Sequence, residues 1–191
     1  INDLYKDGLQ REQFIPFIKI MKKKCLEQTL VIKEDYRKSQ NKNNDRYFYP
    51  LNEITSFKIN KLFRKLTRNK IKQEKILIVK GRKFTIKNYY EGVARFDFSD
   101  LCNKNIGAED YIKIADVSKY IFIENLPNFD DKNSNQQQRF ITLIDIIYEK
   151  KVSLTISSVS NLNKLTSSTS LSEPFKRTLS RLHELTSSLN N

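Results

Sequence analysis

The strongest constraint on the fold is a strand–helix–strand pattern between residues 120 and 156. Residues 120–123 and 152–156 are short apolar runs typical of buried strands. Between them, after a polar loop at residues 128–138, apolar side chains recur at helical spacing on one face: Phe140, Leu143, Ile144, Ile147 and Tyr148. Two strands joined by a helix at this spacing pair in parallel through a right-handed crossover. The sequence therefore predicts an α/β fold.

Weaker patterns predict the other elements. Helical stripes run through residues 14–25, with Pro16 in the first turn or at a kink, and through residues 59–66. A hairpin around the Gly81-Arg82 turn and a strand at residues 92–98 form a small β-rich insertion. The remaining predictions are a strand at residues 30–32, a polar loop at 38–46, a short helix after 106–111, a mobile connection at 157–172, and a C-terminal amphipathic helix carrying Phe175, Leu179, Leu182 and Leu189.

These patterns divide the chain into four predicted segments. Residues 1–37 form the exit of a nucleotide-binding core, and residues 38–100 form a basic helix with the β-rich insertion. Residues 101–157 form the α/β strand–helix–strand unit, and residues 158–191 form a flexible connection with the C-terminal helix.

The net charge of +13 is unevenly distributed. Residues 58–87 hold twelve Lys or Arg and one acidic residue, whereas residues 100–150 hold nine acidic and six basic residues. Such asymmetry indicates a biased surface that suits an acidic protein, nucleic acid or membrane headgroups. Phe57, Phe63 and Phe84 lie within the basic stretch, but Phe63 belongs to an apolar stripe and no RNA-binding motif is present. A solvated basic face is the simpler alternative.

Several function classes are excluded by motifs that the sequence lacks. No apolar run reaches the ~18 residues of a membrane span, and no G-x-x-x-x-G-K-[ST] phosphate loop is present. Cys25 and Cys102 are expected to be buried free thiols, and together with one His they cannot build a zinc site. His183 lacks the context of a hydrolase triad and is expected to lie on the surface.

Three arginines are candidates for nucleotide chemistry. Arg11 follows Gly8-Leu9 near a predicted helix start, where an AAA-type subunit places an arginine that reaches the γ-phosphate of a neighbouring subunit. Arg177 and Arg181 lie four residues apart and share one helix face, which suits a nucleotide sensor. The alternatives are a surface arginine with a carboxylate partner and a solvated basic stripe.

Two further side chains stand at the ends of predicted elements. Glu124 ends the apolar run at 120–123, where P-loop enzymes hold a magnesium-linked carboxylate; the alternative is a strand end that meets solvent. Arg139 begins the following helix and is expected to anchor the loop before it.

Eight short motifs, taken in order, resemble the ZapE family of AAA-type P-loop ATPases, which includes bacterial cell-division proteins and mitochondrial relatives. They are Leu4-Tyr5 with Gly8-Leu9-Gln10-Arg11 and Phe14-Ile15-Pro16-Phe17-Ile18; Asp35-Tyr36-Arg37; Tyr47-Phe48-Tyr49-Pro50-Leu51; Gly81-Arg82; Ala94-Arg95-Phe96-Asp97-Phe98 with Leu101-Cys102; Gly107-Ala108-Glu109-Asp110-Tyr111; Arg139-Phe140-Ile141-Thr142-Leu143-Ile144-Asp145 with Tyr148; and Arg177-Thr178-Leu179-Ser180-Arg181-Leu182.

The resemblance implies the C-terminal portion of a P-loop ATPase. The phosphate loop, the Walker-B carboxylates and the first sensor are expected upstream of residue 1. ATP and Mg²⁺ are the implied cofactors of the whole protein, with Arg11 as its catalytic arginine finger and Arg177 and Arg181 as nucleotide-binding sensor residues. This segment alone is expected to be inactive, and no metal ligand is predicted within it.

The implied function is ATP-driven remodelling of a protein target by a homo-oligomer. The target would be a division-ring or membrane-complex subunit, in the bacterial cytoplasm or alternatively the mitochondrial matrix. The rival hypothesis is a non-catalytic module that binds an acidic protein, nucleic acid or membrane surface through residues 58–87. A third is the product of a split or decayed gene that has lost ATPase function.

Overall fold

A computed structural model describes residues 11–26 and 45–187. The chain divides into two units, Ile1–Asp35 and Tyr36–Asn191. In the first unit, helix α1 spans Arg11–Lys24, so Pro16 lies inside the helix and beyond the first turn, which was one of its two predicted positions. Cys25 is exposed, which corrects the expectation of a buried thiol. The predicted strand at residues 30–32, most of the loop at 38–46, and Leu189 lie outside the described residues.

A six-stranded sheet organises the second unit and confirms the α/β class. Its strands are β1 (Tyr47–Phe48), β2 (Lys72–Val79), β3 (Arg82–Tyr90), β4 (Val93–Asp97), β5 (Tyr120–Leu126) and β6 (Ser153–Ser158), in the order β1-β6-β5-β4-β3-β2. Strands β1, β6, β5 and β4 pair in parallel, and β3 and β2 continue the sheet through antiparallel pairs. The β-rich insertion is therefore an extension of the central sheet.

Helices cover both faces of this sheet. They are α2 (Glu53–Thr67), α3 (Phe98–Cys102), α4 (Ala108–Val117), α5 (Ser134–Glu149) and α6 (Ser172–Thr186). Helix α5 joins β5 to β6, and the two strands pair in parallel, as the strand–helix–strand pattern predicts. Helix α5 begins at Ser134 and not after residue 138, because a 3₁₀ turn capped by Asp130 leads directly into it.

Two apolar clusters hold the helices on the sheet. On one face, Ile59 and Phe63 of α2 pack against Val93 and Phe122, with the Phe63 and Phe122 rings edge-to-face at 5.2 Å between centroids. On the other face, α3, α4, α5 and α6 enclose the larger core. Strand residues alternate between the two clusters, as the pleat requires.

The connection between β6 and α6, which its Ser- and Asn-rich composition predicts to be mobile, packs against the core. Leu162 and Leu165 are buried within it. The buried side chain of Gln137 on α5 accepts the Ser168 backbone N–H at 2.9 Å and donates to Ser167 Oγ at 2.6 Å. These contacts join the connection to α5 shortly before α6 begins.

Candidate functional site

Polar side chains gather where the parallel strands end. Because β4, β5 and β6 run in the same direction, the register places Asp97 beside Glu124 and brings Ser157 to the same edge. In open α/β sheets, ligands bind in the crevice outside the carboxyl ends of the strands. This edge is therefore the candidate site that the topology selects.

Glu124 is paired at this edge with Arg95 on β4. Arg95 donates from Nη2 to Glu124 Oε2 at 2.9 Å and from Nε to Oε1. The guanidinium also lies 4.9 Å from the centroid of the Phe63 ring. Glu124 is consequently a half-buried partner in a bidentate ion pair, a contact that neither sequence-based alternative, a magnesium-linked carboxylate or a strand end that meets solvent, included.

An irregularity of β5 at Asn125 links the three strands near their carboxyl ends. Asn125 adopts a positive φ of 62°. Its backbone N–H donates to Ser157 Oγ at 3.1 Å and its side-chain amide donates to Asp97 Oδ2 at 2.6 Å. The other oxygen of Asp97 caps α3 by accepting the backbone N–H of Ser99 at 2.9 Å.

These hydrogen bonds act on the ionisation of Asp97. Burial pulls the pKa of Asp97 upward, but the hydrogen bonds from Ser99 and Asn125 outweigh it and hold that pKa below its ordinary value. The hydrogen bonds at this edge therefore favour the ionised form of Asp97.

Acid unfolding tests this arrangement. Because the folded pKa of Asp97 is lowered, its contribution to stability is complete above the unfolded pKa of about 3.9 and is lost as the pH falls toward the folded value. We expect Asp97→Asn to make the free energy of unfolding depend less steeply on pH below about pH 4. Urea titrations across that range measure the slope. Asn125→Ala removes one donor and should reduce the slope partway, and a wild-type slope in Asp97→Asn would contradict the assignment.

A cleft of about 580 Å³ opens between this edge and the N-terminus of α2. Asn52 caps that helix by accepting the Thr55 N–H at 2.9 Å. Glu124, Asn125 and Ser157 line one side, and the exposed Phe57 lines the other. The cleft thus offers hydrogen-bonding groups beside an apolar wall, which suits a polar ligand with one apolar surface.

The two predicted sensor arginines meet at Asp145, a carboxylate on α5. Arg177 Nη2 lies 2.8 Å from Asp145 Oδ2, and Arg181 Nη1 contacts Oδ1. The Arg181 guanidinium also lies 4.9 Å from the Tyr148 ring centroid. Arg177 remains 59% exposed at its side chain, whereas Arg181 is 17% exposed. Both arginines of α6 are therefore ion-paired with the same carboxylate on α5.

Arg11, the third candidate, opens helix α1 in the other unit. Sequence reasoning did not single out Asp145 as the partner of Arg177 and Arg181. The available signal was an acidic residue on α5 set among the apolar positions Ile144 and Ile147.

Other motif residues are scaffold contacts. Arg82 at the β2–β3 turn donates to the buried carboxylate of Asp110, with Nη2 to Oδ2 at 3.0 Å, and the same carboxylate accepts the Gly107 N–H at 2.9 Å. Arg139 donates to the Cys102 carbonyl at 2.8 Å, so it anchors the end of α3 and not the loop before α5. Burial raises the pKa of the Cys102 thiol to about 12.

Neither metal clusters nor spanning helices occur in the part of the chain that the structure describes. Over residues 11–26 and 45–187, no three His, Cys, Asp or Glu side chains come close enough to hold a metal ion. Over the same ranges, no helix combines the length and apolarity needed to cross a bilayer. His183 lies on the surface, with Nε2 at 2.9 Å from Asn163 Oδ1.

Comparison with known proteins identifies the family of this chain. The sequence model of the AFG1-like ATPases matches residues 2–190. Over 85% of its length the chain is 33% identical to lactation elevated protein 1 homolog B of Danio rerio, of which it covers 33%. Over 97% of its length it is 27% identical to the cell division protein ZapE of Escherichia coli K12, of which it covers 50%. The chain thus spans a third to a half of these relatives, and no solved structure matches it.

Proposed function

Because this chain belongs to the AFG1-like ATPase family, we propose that it works as part of an ATP-hydrolysing AAA-type ATPase that remodels a protein target. The observation that carries the proposal is the family match across residues 2–190. One relative is named a cell division protein, which supports a bacterial cytoplasmic role in cell division. The mitochondrial matrix is the alternative compartment.

The proposed enzyme assembles as a homo-oligomer in which Arg11 acts across a subunit boundary. Arg11 lies on helix α1. A guanidinium presents several N–H donors in a geometry that matches phosphate oxygens. In the oligomer, this guanidinium would stabilise the charge that develops during hydrolysis on the γ-phosphate bound by a neighbouring subunit.

Arg177 and Arg181 have different parts in the proposed response to nucleotide. When Arg177 turns toward nucleotide, the shared carboxylate of Asp145 would stay paired with Arg181, so it would not become an unpaired charge. An exposed ion pair such as Arg177 with Asp145 contributes at most about 1 kcal/mol. Arg177 is therefore the residue that would bind phosphate oxygens, while Arg181 is positioned by Asp145 and Tyr148.

ATP and Mg²⁺ are the cofactors of the proposed enzyme. The described residues fit the anionic part of this ligand, because Arg177 presents an exposed guanidinium, and they offer no cluster suited to Mg²⁺. Bound Mg²⁺ would neutralise the charge that develops on the phosphates. Arginines of this chain would orient the phosphates and add positive charge beside them.

ATP turnover by the full-length protein tests the proposal. We expect Arg177→Ala to raise KM for ATP about tenfold with a smaller change in kcat, because a charge-assisted hydrogen bond to phosphate is lost. Lys176→Ala is the matched control, since Lys176 is exposed and pairs only locally with Glu173. An unchanged KM in Arg177→Ala would reject the sensor role, and no turnover by the wild-type protein would reject the ATPase itself.

A further inference from the structure

One face of the β2–β3 hairpin carries apolar side chains that no described element covers. Leu77 and Val79 of β2 are buried on the core side of the sheet. Ile76 and Ile78 alternate with them and face the opposite way, where they are 57% and 66% exposed. Exposed isoleucines next to one another on a strand face are typical of an interaction surface.

The same strand is the edge of the sheet. Among the described strands, β2 pairs only with β3 and ends the strand order. Its outward N–H and C=O groups can therefore accept a further strand, and a regular edge of this kind is the template that extended peptides use. An irregularity between Gln73 and Lys75 limits the regular part to the five residues up to Val79.

The charge of this surface specifies the partner. Lys83 lies directly opposite Ile78 in the register, and Lys72 and Lys87 lie farther along the two strands. None of these three lysines forms an ion pair with a described residue. Glu74 is the one acidic residue on β2 and β3. Electrostatic complementarity consequently favours an acidic partner.

The hairpin is held in place before any partner binds. At its tip, Lys80 pairs with Glu109 at 2.6 Å and Arg82 pairs with Asp110 at 3.0 Å, which fastens the turn to α4. A rigid edge binds a strand with a smaller loss of conformational entropy than a flexible one.

We propose that the β2 edge binds an extended acidic segment of a partner protein, which adds to the sheet as a further strand. Its alternate apolar side chains lie against Ile76 and Ile78, and its carboxylates meet Lys72, Lys83 and Lys87. Lysines also protect edges against pairing, but a protected edge would carry polar side chains where β2 has isoleucines. This inference requires no ATP hydrolysis, so its test is separate from that of the proposed function.

The test measures binding of a labelled synthetic peptide by fluorescence anisotropy in the absence of nucleotide. The peptide alternates valine with threonine and carries glutamates at both ends. We expect Ile76→Thr with Ile78→Thr to weaken binding at least about tenfold, since threonine keeps the strand propensity but removes apolar contact. Lys83→Glu with Lys87→Glu should weaken it by a similar factor. Lys132→Glu with Lys164→Glu changes the charge equally at exposed sites elsewhere and should leave binding unchanged.

N-methylated peptides test strand addition itself. Only one side of an added strand hydrogen-bonds to β2, so methylating alternate amides should abolish binding in one register and preserve it in the other. The proposal would be overturned if both sets of methylated amides weakened binding equally. It would also be overturned if Lys132→Glu with Lys164→Glu weakened binding as much as Lys83→Glu with Lys87→Glu. Binding to phosphatidylglycerol vesicles without binding to the peptide, or a dimer of this protein that the isoleucine variants disrupt, would likewise overturn it.

Discussion

Replacing Arg11 by Ala in the full-length protein is expected to lower ATP turnover about a thousandfold, the lower end of what an arginine finger contributes. The physical reason is that charge on the transferred phosphoryl group is stabilised in the transition state by a guanidinium that a neighbouring subunit supplies. Because the interaction belongs to the transition state, we expect kcat to fall while KM for ATP changes little. Steady-state phosphate release measures both.

Two variants of α1 make the Arg11 result interpretable. Arg11→Lys keeps the charge but not the planar, multiply donating guanidinium, and it should remain strongly impaired. Lys19→Ala removes an exposed cation from the same helix and should retain wild-type turnover. Sedimentation of each variant establishes that assembly is intact. Undiminished turnover in Arg11→Ala oligomers would remove the residue from the mechanism.

Replacing Asp110 by Ala is expected to destabilise the 191-residue chain by about 2 kcal/mol, as typical costs of losing a helix cap and a charge-assisted hydrogen bond indicate. The buried carboxylate caps α4 through the Gly107 N–H and holds Arg82 at the hairpin tip. Since Arg82 is half exposed, water replaces part of its lost interaction, which lowers the expected cost. Urea unfolding followed by far-ultraviolet circular dichroism measures the change.

Neighbouring substitutions separate the two roles of Asp110. Asp110→Asn retains an acceptor for Gly107 and should lie between wild type and the Ala variant. Glu109→Ala removes the adjacent, exposed carboxylate that pairs with Lys80 and should cost less than about 1 kcal/mol. If Asp110→Ala and Glu109→Ala were equally stable, the buried carboxylate would have no special structural role.

The elements of this fold could largely be predicted, because their signals are local. Apolar spacing of 3.6 or 2 residues records which side of a helix or strand faces the core, and it placed α5 and the strands on either side of it. Element ends were less predictable: α5 begins at Ser134 because Asp130 caps a 3₁₀ turn before it. Composition gave no sign that the connection before α6 packs against the core, where the buried side chain of Gln137 accepts the Ser168 N–H.

The candidate site was harder to predict, because its contacts join residues far apart in sequence. Arg95 and Glu124 are separated by 29 positions and meet through the register of two parallel strands. The residues themselves were visible in the sequence, but which of them pair with one another was not. The arginine-finger role of Arg11 and the sensor roles of Arg177 and Arg181 stay predictions that the experiments above decide.

The sequence by itself determined the α/β class, the helical and strand segments and the resemblance to a nucleotide-hydrolysing family, because each follows from short patterns read in order. Only the tertiary structure decided that the β-rich insertion extends the central sheet, that Asp145 joins Arg177 to Arg181, and that no described element covers Ile76 and Ile78 on β2. Periodicity specifies which face of an element is apolar. Which element covers that face depends on strand order and register, and these are set by packing across the whole domain.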